Sequence, residues 1–118
     1  MVKSNLTKNR CACCEGMGQA LTKTAAQKYL RHVPGWQMDK SGKQIFRKYK
    51  TKNFVKAVAF INKVAKVAEK ENHHPDIHLT GYRNVRIDLS THAVGGLSEN
   101  DFILAAKLNE LPVELKVR

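Results

Sequence analysis

The sequence has no long apolar run. None of its hydrophobic stretches approaches the ~18 consecutive residues that a transmembrane helix needs. The first residues, MVKSNL, contain no continuous apolar segment of the kind found in secretory signal peptides. We therefore expect neither a membrane span nor a secretory signal, and we predict a cytoplasmic protein.

Cysteine is scarce and confined to one place. The three cysteines are Cys11, Cys13 and Cys14, so no disulfide framework can be distributed along the chain. The cluster could bind a soft metal, but a closed tetrahedral site needs four ligands, and His32 could complete it only if the N-terminal segment folded back. We favour the alternative, in which residues 1–18 form a flexible arm with reduced thiols and residues 19–118 form the folded domain.

Acidic residues are also few. The chain has 21 Lys and Arg against 10 Asp and Glu, which gives a formal net charge of +11. Such a charge suits a protein that binds nucleic acid or other anions. The basic residues are spread along the chain, however, and the sequence has no zinc-finger spacing, aromatic RNA-binding motif or basic-zipper pattern. We therefore do not expect a nucleic-acid partner.

A chain of 118 residues is long enough for one domain. Its hydrophobic periodicity and turn signals predict three helices and four strands in the order α-β-β-α-β-β-α. The helices are expected at about 21–32, 53–71 and 99–110, and the strands at 36–38, 44–51, 76–79 and 82–90. Two hairpins with helices between and after them indicate an α+β fold, in which helices cover one face of an antiparallel sheet.

The segment 53–71 has the clearest helical pattern, because its apolar residues recur at spacings of three and four. The predicted buried stripe comprises Phe54, Val58, Ile61, Ala65 and Ala68, widened by Ala57, Val64 and Val67. Pro75 cannot continue a helix, and it disfavours helical angles at the residue before it. We therefore expect the helix to stop at or just before His73.

Three of the five histidines lie close together in the sequence. His73 and His74 open the second hairpin, and His92 follows its last strand. The start of one antiparallel strand lies beside the end of the next, so all three histidines should meet at one end of the sheet. Histidine exchanges protons near neutral pH, which makes this cluster a candidate acid–base site.

Two other interpretations of these histidines stay open. A histidine at a helix C-terminus interacts favourably with the helix dipole, so His73 and His74 could be structural. Three histidines and a water molecule can also form a zinc site, but Pro75 interrupts the i, i+4 pair of His74 and His78. We treat His78, like His32, as incidental.

Two carboxylates accompany the histidines. Ser98 and Asp101 match the two key positions of a capping box at the start of the last helix, and the loop that carries them follows directly from His92. Asp101 could therefore also face the histidine pocket. Glu69 lies one turn before His73 and could either orient an imidazole or be a solvated helix charge.

Three segments together resemble the pterin-4a-carbinolamine dehydratase family. They are EKENHHP at 69–75, LSTH at 89–92 and GLSEND at 96–101. The segment PGW at 34–36 and the region 46–54 are also similar to the family, so the resemblance covers about residues 20–110. Animal members of this family also act as dimerisation cofactors of a homeodomain transcription factor.

The resemblance implies a four-stranded antiparallel sheet with three helices, assembled as a homodimer or a homotetramer. It implies loss of water from 4a-hydroxytetrahydropterin to give quinonoid dihydropterin, without metal or organic cofactor, in the recycling of tetrahydrobiopterin. His73 and His92 would transfer protons, and His74, the third histidine of the catalytic site, would help to hold the pterin. The implied substrate-binding residues are Pro75, Thr91, Ala93 and Val94, and we add Asp101 and Glu69 from the reasoning above.

A second hypothesis is a non-catalytic protein-interaction module with the same fold. Its contact surface would be the helix at 53–71, whose Ala- and Val-rich stripe could pack against a helix of a partner protein. The three histidines favour the enzyme, because a scaffold has no need of all of them.

Overall fold

The computed structural model describes residues 6–7 and 19–117. Its helices are α1 (Lys23–Leu30), α2 (Phe54–Glu71) and α3 (Glu99–Asn109), and its strands are β1 (Gln37–Met38), β2 (Ile45–Lys50), β3 (Asp76–Thr80) and β4 (Asn84–Leu89). A short 3-10 helix, His92–Val94, precedes α3. The predicted α+β class and the order α-β-β-α-β-β-α are confirmed.

The four strands form one antiparallel sheet in the order β1-β2-β4-β3. Ile45 of β2 pairs with Leu89 of β4, and Asp76 of β3 pairs with Asp88 of β4. The starts of β2 and β3 therefore both lie beside the end of β4. This register gathers the β1–β2 turn, the end of α2 and the loop after β4 at one end of the sheet.

The sheet has one buried face and one polar face, as alternating strand residues predict. The buried hydrophobic side chains of β2 and β4 are Ile45, Tyr49, Val85, Ile87 and Leu89. They belong to the same core as residues of the three helices. The opposite face carries Lys48 and Lys50 of β2 and Arg86 and Asp88 of β4, and none of the helices within residues 19–117 covers it. Arg47 is the exception, because it lies on the helix side and donates to Oδ1 of Asn109 in α3 at 2.6 Å.

Helix α3 is the central helix, in contact with both α1 and α2. Most of its residues are buried, which explains why it has no polar stripe. Tyr29 of α1 stacks on Phe102 of α3 with a ring-centroid distance of 5.2 Å. Because α3 is held on several sides, its first turn, with Ser98 and Asp101, is a rigid support.

The predicted buried stripe of α2 is confirmed at Ala57, Val64 and Ala68 and wrong at Phe54, Val58 and Ala65. The buried residues of the helix are Ala57, Phe60, Val64, Ala68 and Glu71. Phe54 and Val58, which the pattern placed inside, are 52% and 36% exposed. Helix α2 is apolar on two sides, and periodicity alone cannot select which side faces the core.

The N-terminal segment is described only at Leu6 and Thr7, and Leu6 is fully buried in the core. Cys11, Cys13 and Cys14 lie outside the described residues, so the arm at 1–18 and its boundary stay predictions. None of the helices within 6–7 and 19–117 combines the length and apolar character of a membrane span.

Candidate active site

The end of α2 separates two adjacent histidines. Asn72 adopts the left-handed conformation (φ 53°, ψ 41°), and its N–H donates to the carbonyls of Ala68 and Glu69. The amide of His73 donates to the carbonyl of Ala68 at 3.2 Å, which closes the last turn. The chain reverses here, so His73 is buried and His74 is exposed.

The buried imidazole of His73 is hydrogen-bonded to the fully buried Asp101. The Nε2 atom lies 2.7 Å from Oδ1 of Asp101. The other oxygen, Oδ2, accepts hydrogen bonds from the Thr91 hydroxyl at 2.9 Å and from the Ser98 amide at 3.0 Å. A carboxylate held by these donors acts as an acceptor, so this network assigns the donated proton to Nε2 of His73. In a neutral His73, Nδ1 is then the basic atom.

Thr91 connects this carboxylate to the loop after β4. Its hydroxyl lies 2.7 Å from Oγ of Ser98, and its amide donates to the carbonyl of Gly96 at 2.7 Å. His92 follows as an exposed residue and begins the 3-10 helix. The predicted capping box at Ser98 and Asp101 is confirmed, and its carboxylate also takes part in the histidine network.

His74 forms a separate pair with Glu69 on the surface. The Nε2 atom of His74 lies 2.6 Å from Oε2 of Glu69, and the two side chains are 56% and 76% exposed. An exposed ion pair of this kind typically contributes about 0–1 kcal/mol to stability. Its main consequence here is the orientation of the His74 ring.

The structure brings the predicted site residues together to different degrees. His73, Thr91 and Asp101 form one buried hydrogen-bonded chain, which we call the His73 network, and His74 and Glu69 pair separately. The remaining predicted residues, which are exposed or half-buried, are Pro75, His92, Ala93 and Val94.

Carboxylates, not other imidazoles, are the direct partners of His73 and His74. Asp101 binds Nε2 of His73, and Glu69 binds Nε2 of His74. In the part of the chain that the structure describes, no group of three His, Cys, Asp or Glu side chains is placed to hold a metal ion.

The β1–β2 turn lies beside the exposed His92. The sequence patterns did not predict that this turn belongs to the site. A cleft of about 240 Å³ lies between this turn and the loop after β4. Its lining residues are Asp39, Ser41, Lys43 and Gln44 on one side and Ser90, Thr91, His92, Gly95 and Gly96 on the other. Only the pairing of β2 with β4 brings the two segments together, and two separate hairpins in a sequence do not reveal it.

A second polar cluster lies on the uncovered face of the sheet. Nε2 of His78 is 3.0 Å from Oδ2 of Asp88, whose Oδ1 accepts a hydrogen bond from Nε of Arg86 at 2.7 Å. His78 and Arg86 are cross-strand partners. The alternation of residues along β3 and β4 could therefore have indicated that they share one face of the sheet. His78 thus has a carboxylate partner, although we expected it to be incidental.

Comparison with known proteins places this geometry in a family. The family model for pterin 4 alpha carbinolamine dehydratase matches residues 19–111. The pterin-4-alpha-carbinolamine dehydratase 2, mitochondrial, of Arabidopsis thaliana is 46% identical over 94% of this chain and 61% of its own length. A protein of Halorhodospira halophila assigned to the same dehydratase is 43% identical over 91% of this chain and 97% of its own.

Solved structures agree with the sequence comparison. A transcriptional coactivator/pterin dehydratase from Brucella melitensis is 35% identical and superimposes with a TM-score of 0.71, over 77% of this chain and 96% of that one. A pterin dehydratase-like RuBisCO assembly factor of the alpha-carboxysome, at 21% identity and a TM-score of 0.54 over 64% of this chain and 86% of that one, shares the fold. The chain therefore belongs to the pterin-4a-carbinolamine dehydratase family, and with it to the hydro-lyase class expected from the sequence.

Proposed function

We propose that the protein removes water from 4a-hydroxytetrahydropterin, giving quinonoid dihydropterin, by proton transfer through His73 and His92. The observation that carries this proposal is the buried Asp101–His73 pair, which Thr91 links to the loop that begins at His92. A histidine held in this way has a fixed orientation and a fixed tautomer. The family supports the reaction class, and the geometry supports the roles of individual residues.

The dehydration needs a base, because the pterin ring loses a proton from N5 as the bond between C4a and the hydroxyl oxygen breaks. We assign this role to Nδ1 of His73, the ring nitrogen that Asp101 does not engage. The carboxylate of Asp101 would stabilise the imidazolium that forms, as the aspartate of a catalytic triad does. Asp101 is then a positioning residue that acts through His73.

The dehydration also needs an acid, because hydroxide is a poor leaving group. We assign this role to His92, which is exposed and can recover its proton from solvent. The proton that His92 donates completes the departing water, and His73 gains the proton that the ring loses, so the step is balanced. A positioned imidazole typically accelerates such a step by about 10²–10⁴-fold.

The remaining predicted residues would hold the substrate. His74, oriented by Glu69, would bind a polar edge of the pterin. The half-buried Pro75 and the backbone of residues 91–94, including Ala93 and Val94, would line the ring. All of these steps use imidazoles and solvent, so we expect turnover to survive a chelator.

A second candidate function is protein interaction through α2. Phe54, Val55 and Val58 are 52%, 70% and 36% exposed, and they form an apolar face on the side away from the core. The Brucella structure described above is named a coactivator as well as a dehydratase. We propose that this face binds a helix of a partner protein in the interaction module, and that a second copy of this chain packs on it in the expected homodimer or homotetramer.

The compartment stays a proposal. We propose the cytoplasm on the sequence evidence, although the Arabidopsis relative is named mitochondrial. Fractionation of source cells with an antibody against the protein would decide between the cytosolic and organellar fractions.

Stopped-flow dehydration of synthetic 4a-hydroxytetrahydropterin tests the proposed function. We expect the protein to accelerate the reaction well above its spontaneous rate, with and without prior treatment with EDTA. A rate equal to the spontaneous one would reject the enzyme and leave the interaction module. Loss of rate after EDTA treatment would reject the metal-free mechanism.

A further inference from the structure

The cleft beside His92 has one wall that the proposed chemistry does not use. This wall is the β1–β2 turn, and its residues Asp39, Ser41 and Lys43 face the loop that carries His92 across a space of about 240 Å³. The antiparallel pairing of Ile45 with Leu89 fixes the distance between the two walls. The turn is therefore a permanent neighbour of the proposed acid.

The turn is held in one conformation by its own hydrogen bonds. Oδ1 of Asp39 accepts from the Ser41 hydroxyl at 2.7 Å and from the Gly42 amide at 3.1 Å. Oγ of Ser41 in turn accepts from the Lys43 amide at 3.0 Å. Gly42 has a φ of +73°, a conformation that glycine adopts without strain. Lys43 therefore leaves the turn in a defined direction.

Lys43 lies against the opposite wall of the cleft. A Cβ atom built on Gly96 would be 3.9 Å from Cγ of Lys43 and 4.0 Å from its Cα, so the stem of Lys43 passes beside Gly96. Gly96 is the backbone partner of Thr91, which precedes His92. Within residues 19–117, the Lys43 ammonium has no ion-pair partner at 4.0 Å or less. It is available to a ligand.

We propose that this cleft binds the substituent at C6 of the pterin and favours a hydroxylated side chain, with Lys43 as a specificity-determining residue. The inference rests on the proposed dehydration. In a pterin, C6 is separated from the reacting C4a by one ring atom, N5. A substituent at C6 must therefore lie close to the groups that serve C4a and N5, and the cleft is the open space beside His92.

The lining of the cleft suits hydroxyl groups better than apolar ones. Lys43 offers an ammonium donor, Asp39 and Ser41 keep acceptor capacity beyond their turn hydrogen bonds, and Gln44 can donate or accept. A side chain with two hydroxyls can use donors and acceptors together. A methyl group would gain nothing from them, so the cleft should discriminate between these two substituents.

The test compares two substrates in Lys43→Ala and in the matched control Lys40→Ala. Lys40 is an exposed residue of the same turn that does not line the cleft. The substrates are the 4a-hydroxytetrahydropterins with a 6-methyl and with a 6-dihydroxypropyl group. We expect Lys43→Ala to lower the ratio of kcat/KM for the dihydroxypropyl over the methyl substrate about tenfold, as loss of a charge-assisted hydrogen bond would. Lys40→Ala should leave that ratio unchanged, and an unchanged ratio in Lys43→Ala would overturn the proposal.

A binding measurement separates this proposal from the dehydration itself. The fluorescent, unreactive pterins 6-methylpterin and biopterin can be titrated with each protein variant whether or not it turns over substrate. A wild-type preference for biopterin that Lys43→Ala loses supports the cleft, even if no dehydration is found. Binding without preference overturns the cleft alone, and absence of binding by the wild-type protein overturns both proposals.

Discussion

Oδ1 of Asp101 lies 2.7 Å from Nε2 of His73, and both side chains are almost fully shielded from solvent. The second oxygen of the same carboxylate caps α3 through the Ser98 amide and holds the Thr91 hydroxyl. One buried charge thus fixes the start of a helix, the loop before it and an imidazole from another helix end. The Asp101 carboxylate therefore caps α3 and also holds the imidazole of the proposed catalytic base.

Asp101→Asn should impair catalysis more than a cap defect can explain. The amide can still accept the Ser98 hydrogen bond with its oxygen, but its NH₂ group would then face the Nε2–H of His73. The two facing N–H groups repel each other unless His73 takes the other tautomer, with its proton on Nδ1. Nδ1 can then no longer act as the base. We expect kcat to fall about 10²-fold, in analogy to the aspartate-to-asparagine change of a catalytic triad, with an altered pH profile of kcat/KM.

The control for this prediction is Ser98→Ala. This change removes a hydroxyl that contacts Thr91 but leaves the Asp101–His73 pair in place. It should cost about 1 kcal/mol of unfolding free energy, as for other N-cap losses, with an unchanged pH profile. Similar pH profiles for Asp101→Asn and Ser98→Ala would mean that Asp101 is structural only.

Asn72 is the second test, because its left-handed conformation (φ 53°) sets the direction in which His73 leaves α2. Asn72→Ala should lower the free energy of unfolding by about 1 kcal/mol, since a Cβ without a polar side chain is strained there. Asn72→Gly should retain or raise it. Urea unfolding of the three proteins checks the order, and equal stability of the Ala and Gly variants would contradict the assigned strain.

The buried Tyr49 should make the free energy of unfolding fall at alkaline pH. Burial raises its pKa from 10.0 to about 12, and the positive charge of Arg47 opposes the shift. Because the folded-state pKa lies above the unfolded one, the resulting stability is complete below pH 10 and is lost as the pH rises towards 12. The loss should be about 2–3 kcal/mol.

Tyr49→Phe isolates this effect. The Tyr49 hydroxyl has no hydrogen-bond partner among the described residues, so its removal should leave the stability at neutral pH unchanged or increase it by about 1 kcal/mol. Denaturant unfolding of both proteins between pH 9 and pH 12 should show a smaller loss for Tyr49→Phe. Parallel curves would show that Tyr49 does not titrate in this range.

The exposed apolar face of α2 predicts a change in oligomeric state. Val58→Glu places a charge in that face and should shift sedimentation towards the monomer, because an unpaired carboxylate is costly to bury in an apolar interface. Thr24→Glu, an equal charge change at an exposed residue of α1, should have no such effect. If the wild-type protein sediments as a monomer, self-association through α2 is wrong.

Local sequence signals predicted the elements that support the site. Pro75 follows the end of α2, and the capping box lies at Ser98 and Asp101, as the patterns indicated. Thr22 and Asn53, both of residue types that favour N-cap positions, cap α1 and α2. These signals depend on residues a few positions apart, so a sequence contains them in full.

Features that depend on tertiary packing were not predictable in the same way. The side of α2 that faces the core depends on the elements that pack against it. The helix has apolar residues on two sides, so its periodicity alone could not show which of them are buried. The contact between the β1–β2 turn and the His92 loop depends on β4 inserting between β2 and β3. The contact of His78 with Asp88 likewise depends on the pairing of β3 with β4. Asp101, the partner of His73, was a candidate from the sequence because its loop follows His92 directly.

The central claim is proton transfer by His73 and His92, and single-turnover dehydration by His73→Ala and His92→Ala tests it most directly. His32→Ala serves as the matched control, because His32 follows α1 and belongs neither to the His73 network nor to the lining of the cleft. We predict a loss of about 10²-fold or more in each site variant and a wild-type rate in His32→Ala, with all proteins folded by circular dichroism. Wild-type rates in both folded site variants would contradict the account.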